Sequence, residues 1–472
     1  MAPISSVDRG AAEAARRRAE AARIAAQAQA AAAKVKEEAA RKPQPQQTLT
    51  AFEGTRKVGA ERLTGEKASP VAKGPLDAAP ADPKARAGWW KQLSPTEQMQ
   101  AVSSDPKKVG SLDGLPASVR DTANRQQLKN ELTQLTAEAD KAKKDYLDNR
   151  SLGDKLRDAL RPGSAADEPA EKFLPKEKQH QLENARAVQK QLERTEKEVG
   201  SAQLLVYDSA FVKGEGRAAI VAGNLDTAKH VSVSVPGLNS DVRDYMDNIT
   251  SDALNLHKAA GKEHGEVATV AWMGYDAPGF QNVASDNAAE NGAKLLASDV
   301  AGIRASREGN PPHLTVIGHS YGSTTASIAA DKNGLQADDL VLIGSPGAGS
   351  AKSVKDYDGP LANGHVWSGS ASRDFVSWLN GSNLPGDPLG QDPTEDLFGA
   401  KRFTAEATDR GDKSNFEDHS KYYRAGSESL GNLADIVTGN YGGVDSAKHR
   451  YGEHDWFKGN RVIDPETQRP VS

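Results

Sequence analysis

A chain of 472 residues is longer than one hydrophobic core organises well, so at least two structural units are expected. The formal net charge is only −5, with 60 basic and 65 acidic residues interspersed; no basic field is present, and this argues against nucleic acid as a partner. The absence of cysteine excludes thiol catalysis, disulfides and cysteine-ligated zinc, and leaves the redox compartment open.

The amino terminus, MAPISSVDRGAAEAARRRAE, lacks the apolar core of a signal peptide, and no run approaches the roughly 18 apolar residues of a membrane span. A soluble protein is expected, cytoplasmic by default, with export that needs no cleavable signal as the alternative.

Residues 1–42 are rich in Ala, Arg, Lys, Glu and Gln, good helix formers that offer almost no large apolar side chain to bury, and predict a solvated helical or disordered tail. Residues 43–87 lose periodicity and are punctuated by Pro43, Pro45, Pro70, Pro75, Pro80 and Pro83, as a linker would be. A helical front module over 88–200 follows. There Ser94 caps a helix begun by Pro95, and Trp89 and Trp90 supply packing surface. Leu128, Leu132, Leu135, Ala139, Ala142 and Tyr146 form a seam at alternating spacings of four and three. A second stripe, Leu182, Ala185, Val188, Leu192 and Val199, supplies the partner helix, with Arg161-Pro162-Gly163 in the connection. Self-packing of this antiparallel hairpin is the simplest account; recruitment of a protein partner is the alternative.

From residue 201 to 472 the pattern becomes strands alternating with helices. Leu204–Val206, Ala218–Val221, Val231–Val235, Val267–Trp272, Leu314–Ile317, Leu340–Ile343 and Val366–Trp367 read as strands. Helices are expected near 241–260, 287–304, 321–331 and 429–437. This rhythm predicts an α/β fold with a doubly wound, mostly parallel sheet, whose chemistry sits in the loops at the carboxyl ends of the strands.

One such loop carries a serine in a telling context. After His313-Leu314-Thr315-Val316-Ile317 the chain reads Gly318-His319-Ser320-Tyr321-Gly322-Ser323 and enters an Ala-rich helix, the strand, turn and helix of a nucleophile elbow. The turn presents the Ser320 hydroxyl above the sheet, and Gly318 and Gly322 leave room where side chains would meet neighbouring backbone. The bare motif is short enough to arise by accident; its strand and helix flanks give it weight.

Serine is a weak nucleophile at neutral pH and needs a general base, itself oriented by an acid. In this fold the acid follows the serine and the histidine follows the acid. Asp374, in Ser372-Arg373-Asp374-Phe375-Val376 after the last strand, is the candidate acid, with Asp387 and Asp392 as competitors. His419 is the candidate base, with His449 and His454 as competitors; His365 precedes the acid, and the His319 side chain should leave the elbow in another direction. The oxyanion is expected to meet the backbone N–H of Tyr321 and a second N–H from Ser234-Val235-Pro236-Gly237-Leu238-Asn239-Ser240-Asp241: Leu238 first, Asn239 second. The segment from Gly381 to Phe403 reads as a surface loop, with a lid as the alternative.

With these motifs in view, the chain resembles the actinobacterial-type α/β-hydrolase family known as domain of unknown function 1023. The resemblance rests on Val235-Pro236-Gly237 with Asn239-Ser240-Asp241, the elbow, Gly344-Ser345-Pro346-Gly347, and Asp418-His419-Ser420 with Tyr422. It extends upstream to Trp89-Trp90, Gly110-Ser111-Leu112-Asp113-Gly114-Leu115-Pro116 and Arg120-Asp121 with Ala123-Asn124-Arg125. It implies a Ser320, Asp374, His419 hydrolase of unassigned substrate; the residues themselves are read as a hydrolase without metal or cofactor, acting on a small-molecule or lipid ester through an acyl-enzyme. An exported lipase or phospholipase and a catalytically idle scaffold are the alternatives. The family's histidine motif begins with Gly where this chain has Asp418, which implies a second carboxylate beside His419 and a shifted pH profile.

Overall fold

The computed structural model describes residues 75–151, 153–154, 165–264, 266–279, 286–378, 389–411 and 415–449. The chain divides into two units, Met1–Ala78 and Ala79–Ser472. Of the first, only a short 3-10 turn, Pro75–Ala78, is described; the Ala-rich tail, most of the linker and the Arg161-Pro162-Gly163 connection lie outside the described residues.

The second unit opens with α1 (Pro83–Gln92), inside the stretch read as linker. Its start is written locally: Asp82 accepts a 2.8 Å bond from the Ala85 N–H, and Pro83 occupies the first turn, where no N–H is required. Helix α2 (Pro95–Ser104) has a reciprocal cap, Ser94 Oγ accepting from Glu97 N and Glu97 Oε2 from Ser94 N. A one-turn α3 (Pro106–Gly110) leads to the long α4 (Ala117–Asp148), which α5 (Lys176–Val199) accompanies before ending at Gly200 in the left-handed region.

The two seams are shared between each other and the sheet. Leu135, Ala139 and Leu182 pack together with Leu174, while Leu128, Ala185, Val188 and Leu192 join strand residues Leu204 and Ile220 and the helical residues Met246 and Ile249. Residues 88–200 therefore do not stand apart from 201–472. Both belong to the one unit from Ala79 onward, because each stripe is wider than a two-helix contact uses. Tyr146, read as the end of the first seam, is 48% exposed beside Phe173.

The sheet has eight strands: β1 (Ala202–Asp208), β2 (Arg217–Ala222), β3 (His230–Val235), β4 (Val267–Met273), β5 (His313–His319), β6 (Asp339–Ile343), β7 (Val366–Gly369) and β8 (Lys401–Phe403). Their order is β1-β2-β4-β3-β5-β6-β7-β8; β2 runs antiparallel to β1 and β4, and β4, β3, β5, β6, β7 and β8 pair in parallel. This is the α/β-hydrolase fold. The central strands are buried on both faces, as parallel strands between helical layers must be. Val231, Val233, Leu314, Val316, Leu340 and Leu342 meet α8 (Asp286–Ser306) and α9 (Tyr321–Lys332) on one face. Ile317, Val341 and Ile343 meet α7 (Val242–His264) and α10 (Glu428–Val437) on the other. A helical turn at Phe211–Gly214, α6, sits in the β1–β2 connection.

Strand β8 was not predicted; three residues are too few to show a period. Leu389 and Phe398, in the loop before it, are buried in the main core, while Leu397 beside Phe398 is 66% exposed; residues 381–388 of the expected surface loop lie outside the described residues. Among the described residues no helix is long and apolar enough to cross a membrane.

At the amino ends of β5 to β7, the fully buried Asp339 fastens α10 and the segment after it to the sheet. Its Oδ2 lies 2.8 Å from His313 Nε2 and accepts from Tyr441 Oη at 2.7 Å, while Oδ1 accepts from Trp367 Nε1 at 2.8 Å and lies 3.0 Å from His365 Nδ1. Burial pushes the carboxyl up, but the donors, His313 first, win and hold it below the usual range; His313, depressed by burial, is pulled above its ordinary value by Asp339. Asp339 thus lends stability above about pH 4 that fades as pH falls, whereas His313 lends stability below about pH 6.5 that fades as pH rises through its folded value. Asp339→Asn should cost about 3–5 kcal/mol, read by urea unfolding at pH 6, and should flatten the stability-versus-pH curve on both sides. A loss under 1 kcal/mol with an unchanged pH curve would count against this account.

Candidate active site

The elbow is built by close approach. Ser320 has φ 57 and ψ −133, in a region costly for any side chain. A Cβ on Gly318 would lie 2.5 Å from Ser323 Cα, and one on Gly322 would lie 2.3 Å from the Val235 carbonyl oxygen. Both glycines are required by contact with backbone, and the turn is further held by the Ser320 N–H donating to Ile343 O at 3.0 Å.

The loop leaving β3 rests on the serine. A Cβ on Gly237 would lie 2.6 Å from Ser320 Cβ and 2.9 Å from its Oγ, so only glycine lets this backbone come so near. The loop is pinned from two sides, Tyr275 Oη donating to Pro236 O at 2.8 Å and Ser240 Oγ to Gly237 O at 2.7 Å. Asn239 (φ 54) donates its N–H to Pro278 O at 3.1 Å, which commits that group elsewhere and favours Leu238 of the two oxyanion candidates.

Asp374 and His419, 45 residues apart in sequence, meet: His419 Nδ1 lies 2.8 Å from Asp374 Oδ2. The acid is fully buried and densely solvated by protein. Its Oδ2 also accepts from Tyr422 Oη at 2.7 Å and Ser377 Oγ at 3.0 Å, and its Oδ1 from Val376 N at 2.8 Å. Burial alone would push its carboxyl up; the charge and hydrogen bond of His419, then Tyr422 and Val376, bring it down to about 2. An ionised acceptor at this distance places the His419 proton on Nδ1 and leaves a lone pair on Nε2. The ring is set beside the elbow: a Cβ on Gly344, the residue after the acceptor of the Ser320 N–H, would lie 3.1 Å from His419 Cε1.

Two residues here had no role in the sequence reading. Tyr422 shares Asp374 Oδ2 with His419. His319, expected to point away, turns back under the base, donating from Nε2 to the His419 carbonyl at 2.8 Å with the rings 4.7 Å apart. Burial, and next the adjacent His419, hold the His319 imidazole down at about 3, so it is neutral. Its position just before the nucleophile was the only available signal, and nothing local says which way the ring turns.

The expected second carboxylate beside His419 is corrected. Asp418 pairs with Lys421 Nζ at 2.7 Å and accepts from Gly411 N at 2.7 Å and Asn415 Nδ2 at 3.1 Å, so its charge is already compensated. Of the competitors, Asp392 accepts from the Thr394 N–H and hydroxyl, His365 sits with Asp339 at the amino ends of the strands, and His449 is largely exposed near Asp396. Asp387 and His454 lie outside the described residues. Among the described residues no group of three or more His, Asp or Glu is arranged to hold a metal ion.

The fold is that of the α/β hydrolases, and residues 212–382, which include Ser320 and Asp374, match a family model described as alpha/beta hydrolase. Among individual proteins, an uncharacterized Mycobacterium tuberculosis protein, Rv2079, is 36% identical over 374 residues, covering 74% of this chain and 55% of that protein. A second M. tuberculosis protein, Rv0963c, also uncharacterized, is 35% identical over 153 residues, covering 30% of this chain and 57% of its own length. The chain thus spans about half the length of the curated relatives it matches. Among solved structures, one of two Rhizomucor miehei esterases aligns at 13% identity and TM-score 0.31, over 55% of this chain and 96% of that one.

Tyr422→Phe removes one of the donors to an ionised buried carboxylate. Asp374 should then titrate higher than about 2, seen by carboxyl carbon NMR, and stability should fall by about 1.5–3 kcal/mol at neutral pH. Because the folded carboxyl is depressed, its contribution is present above about pH 4 and lost as pH falls, and the variant should lose it at a higher pH. An Asp374 titration that does not move would exclude the charge-stabilising role of Tyr422.

Proposed function

We propose that this chain is a metal-independent serine hydrolase acting on carboxylic esters, with Ser320 as nucleophile, His419 as general base and acid, and Asp374 as the orienting carboxylate. The observation that carries the reading is the 2.8 Å contact between His419 Nδ1 and the depressed, buried Asp374 carboxylate, set beside a strained serine elbow. The match of residues 212–382 to the alpha/beta hydrolase model supports hydrolysis as the reaction class.

Ser320 Oγ attacks the acyl carbon while its proton passes to His419 Nε2. The carbonyl oxygen becomes an oxyanion, held by the N–H groups of Tyr321 and Leu238, each worth about 2.7–4 kcal/mol in the transition state. Collapse breaks the bond to the leaving oxygen, which takes the proton from His419, and the acyl group stays on Ser320. Water, giving its proton to the same imidazole, then releases the acid and restores the serine. Asp374 remains ionised throughout and fixes the tautomer.

A fluorophosphonate probe should label Ser320 in the folded chain and fail to label Ser320→Ala. On a panel of p-nitrophenyl esters of different chain length, Ser320→Ala and His419→Ala should each lower kcat by about 10⁶-fold, and Asp374→Asn by about 10⁴-fold. No adduct beside a reactive control removes the enzyme reading in favour of a binding role. Labelling that persists with full turnover in Asp374→Asn and His419→Ala keeps the nucleophile and discards its assigned partners.

A further inference from the structure

A cavity of about 360 Å³ lies away from the loops that carry Ser320, Asp374 and His419, between α3, the first turns of α4 and the β1–β2 hairpin. Four cations line it: Lys107, Lys108, Arg120 and Arg217. Arg120 is 2% exposed, its Nε donating to Gly110 O at 3.0 Å and its Nη1 lying 2.9 Å from Asp113 Oδ1. Arg217 gives Nη2 to Asp299 Oδ2 at 2.6 Å, but its Nε is sealed from solvent and has no acceptor. A buried guanidinium N–H without an acceptor is rare, because the group has given up water for nothing. Around this guanidinium the cavity lining carries four cations against the two carboxylates of Asp105 and Asp208.

The surrounding charge favours an anionic acceptor. Asp113 and Asp299 stand behind the two arginines. Burial, and the Asp113 charge beside it, push Asp299 above the usual carboxylate range, while Asp113 is held low against its burial by Arg120. Lys107 and Lys108 are exposed and form no ion pair among the described residues. Both acids on the cavity wall accept backbone N–H bonds, Asp105 as the cap of α3 from Lys108 N at 2.9 Å and Asp208 from Ala210 N at 3.2 Å.

We propose that this cavity is a binding site for a small phosphate-type oxyanion, held by Arg217 and Arg120 from within and by Lys107 and Lys108 at its mouth. A tetrahedral oxyanion offers several acceptors in different directions, which suits two guanidinium groups and two ammonium groups converging from different elements. The volume admits inorganic phosphate or the head of a compact phosphomonoester. The site gives a use to Gly110-Ser111-Leu112-Asp113 and Arg120, a stretch of the front segment that the ester chemistry leaves unused. It does not depend on the hydrolase reading.

The test is isothermal titration calorimetry of the full chain with sodium phosphate and, separately, glycerol 3-phosphate, in a low-salt amine buffer with sodium chloride as the ionic-strength control. Saturable one-to-one binding in the millimolar range or tighter is expected. The double variant Lys107→Ala and Lys108→Ala, which changes only exposed side chains, should bind about tenfold more weakly or less. Arg217→Lys keeps the charge but removes the guanidinium fork and should also weaken binding; should it not fold, the lysine pair still decides. Tighter binding of glycerol 3-phosphate assigns the site to phosphomonoesters, and equal or weaker binding assigns it to the free oxyanion. Heats no different from sodium chloride, or phosphate binding untouched in the double lysine variant, overturn the proposal.

Discussion

Ser320 is held at φ 57 by backbone that comes closer than side chains allow. A side-chain-bearing residue in so sparsely populated a region costs about 1–3 kcal/mol, and such strain lasts only where the surroundings over-determine it. Here three glycines do so: Gly318 against Ser323, Gly322 against Val235 and Pro236, and Gly237 against Ser320 itself. These contacts join the ends of β3 and β5 and the start of α9, so the elbow depends on correct pairing of adjacent parallel strands. The same packing brings the loop after β3 over the serine hydroxyl. The strain and the proximity of a candidate oxyanion donor are one geometric fact.

The acid and base depend on longer-range order. Asp374 leaves β7 and His419 lies beyond β8, and each is fixed by neighbours from other segments: Tyr422 and Ser377 on the carboxylate, His319 under the His419 carbonyl. A buried carboxylate with several donors remains ionised where burial alone would protonate it. Electrostatics here is therefore a product of packing. The donors line up only because α10 draws the segment after His419 down onto β5 to β7, and at the other end of the same strands Asp339 completes that attachment through Tyr441.

The helical front is structural to the sheet. Its long helices cover β1 and β2, the antiparallel edge that would otherwise expose an apolar face. The stripe on Lys176–Val199 faces both its partner helix and α7, so the covering is continuous with the core. Charge accompanies this joint: Asp113 and Arg120 from the front meet Arg217 of β2 and Asp299 of α8 in one cluster of ion pairs.

The features legible in the sequence are those with a local cause. Strand and helix alternation from residue 201 onward, the turn at Gly318-His319-Ser320-Tyr321-Gly322, and the cap at Ser94-Pro95 each depend on neighbours within a few positions, and their periods and glycines state the backbone they need. Chain order narrowed the acid to the loop after β7 and the base to a few histidines downstream, without saying which would touch. The start of α1 was equally local, in Asp82-Pro83, and was lost because prolines were read as linker punctuation. Other features have no local cause. The turn of His319 beneath His419, the Tyr422 bond to Asp374, the diversion of Asp418 to Lys421, and the convergence of four cations on one cavity all join residues from different parts of the chain. The sequence by itself determined the sheet and the strained serine upon it, because backbone conformation is encoded nearby. Only the tertiary structure decided which charged groups are paired and which donors are left open, because those depend on what the folded chain brings within about 3 Å.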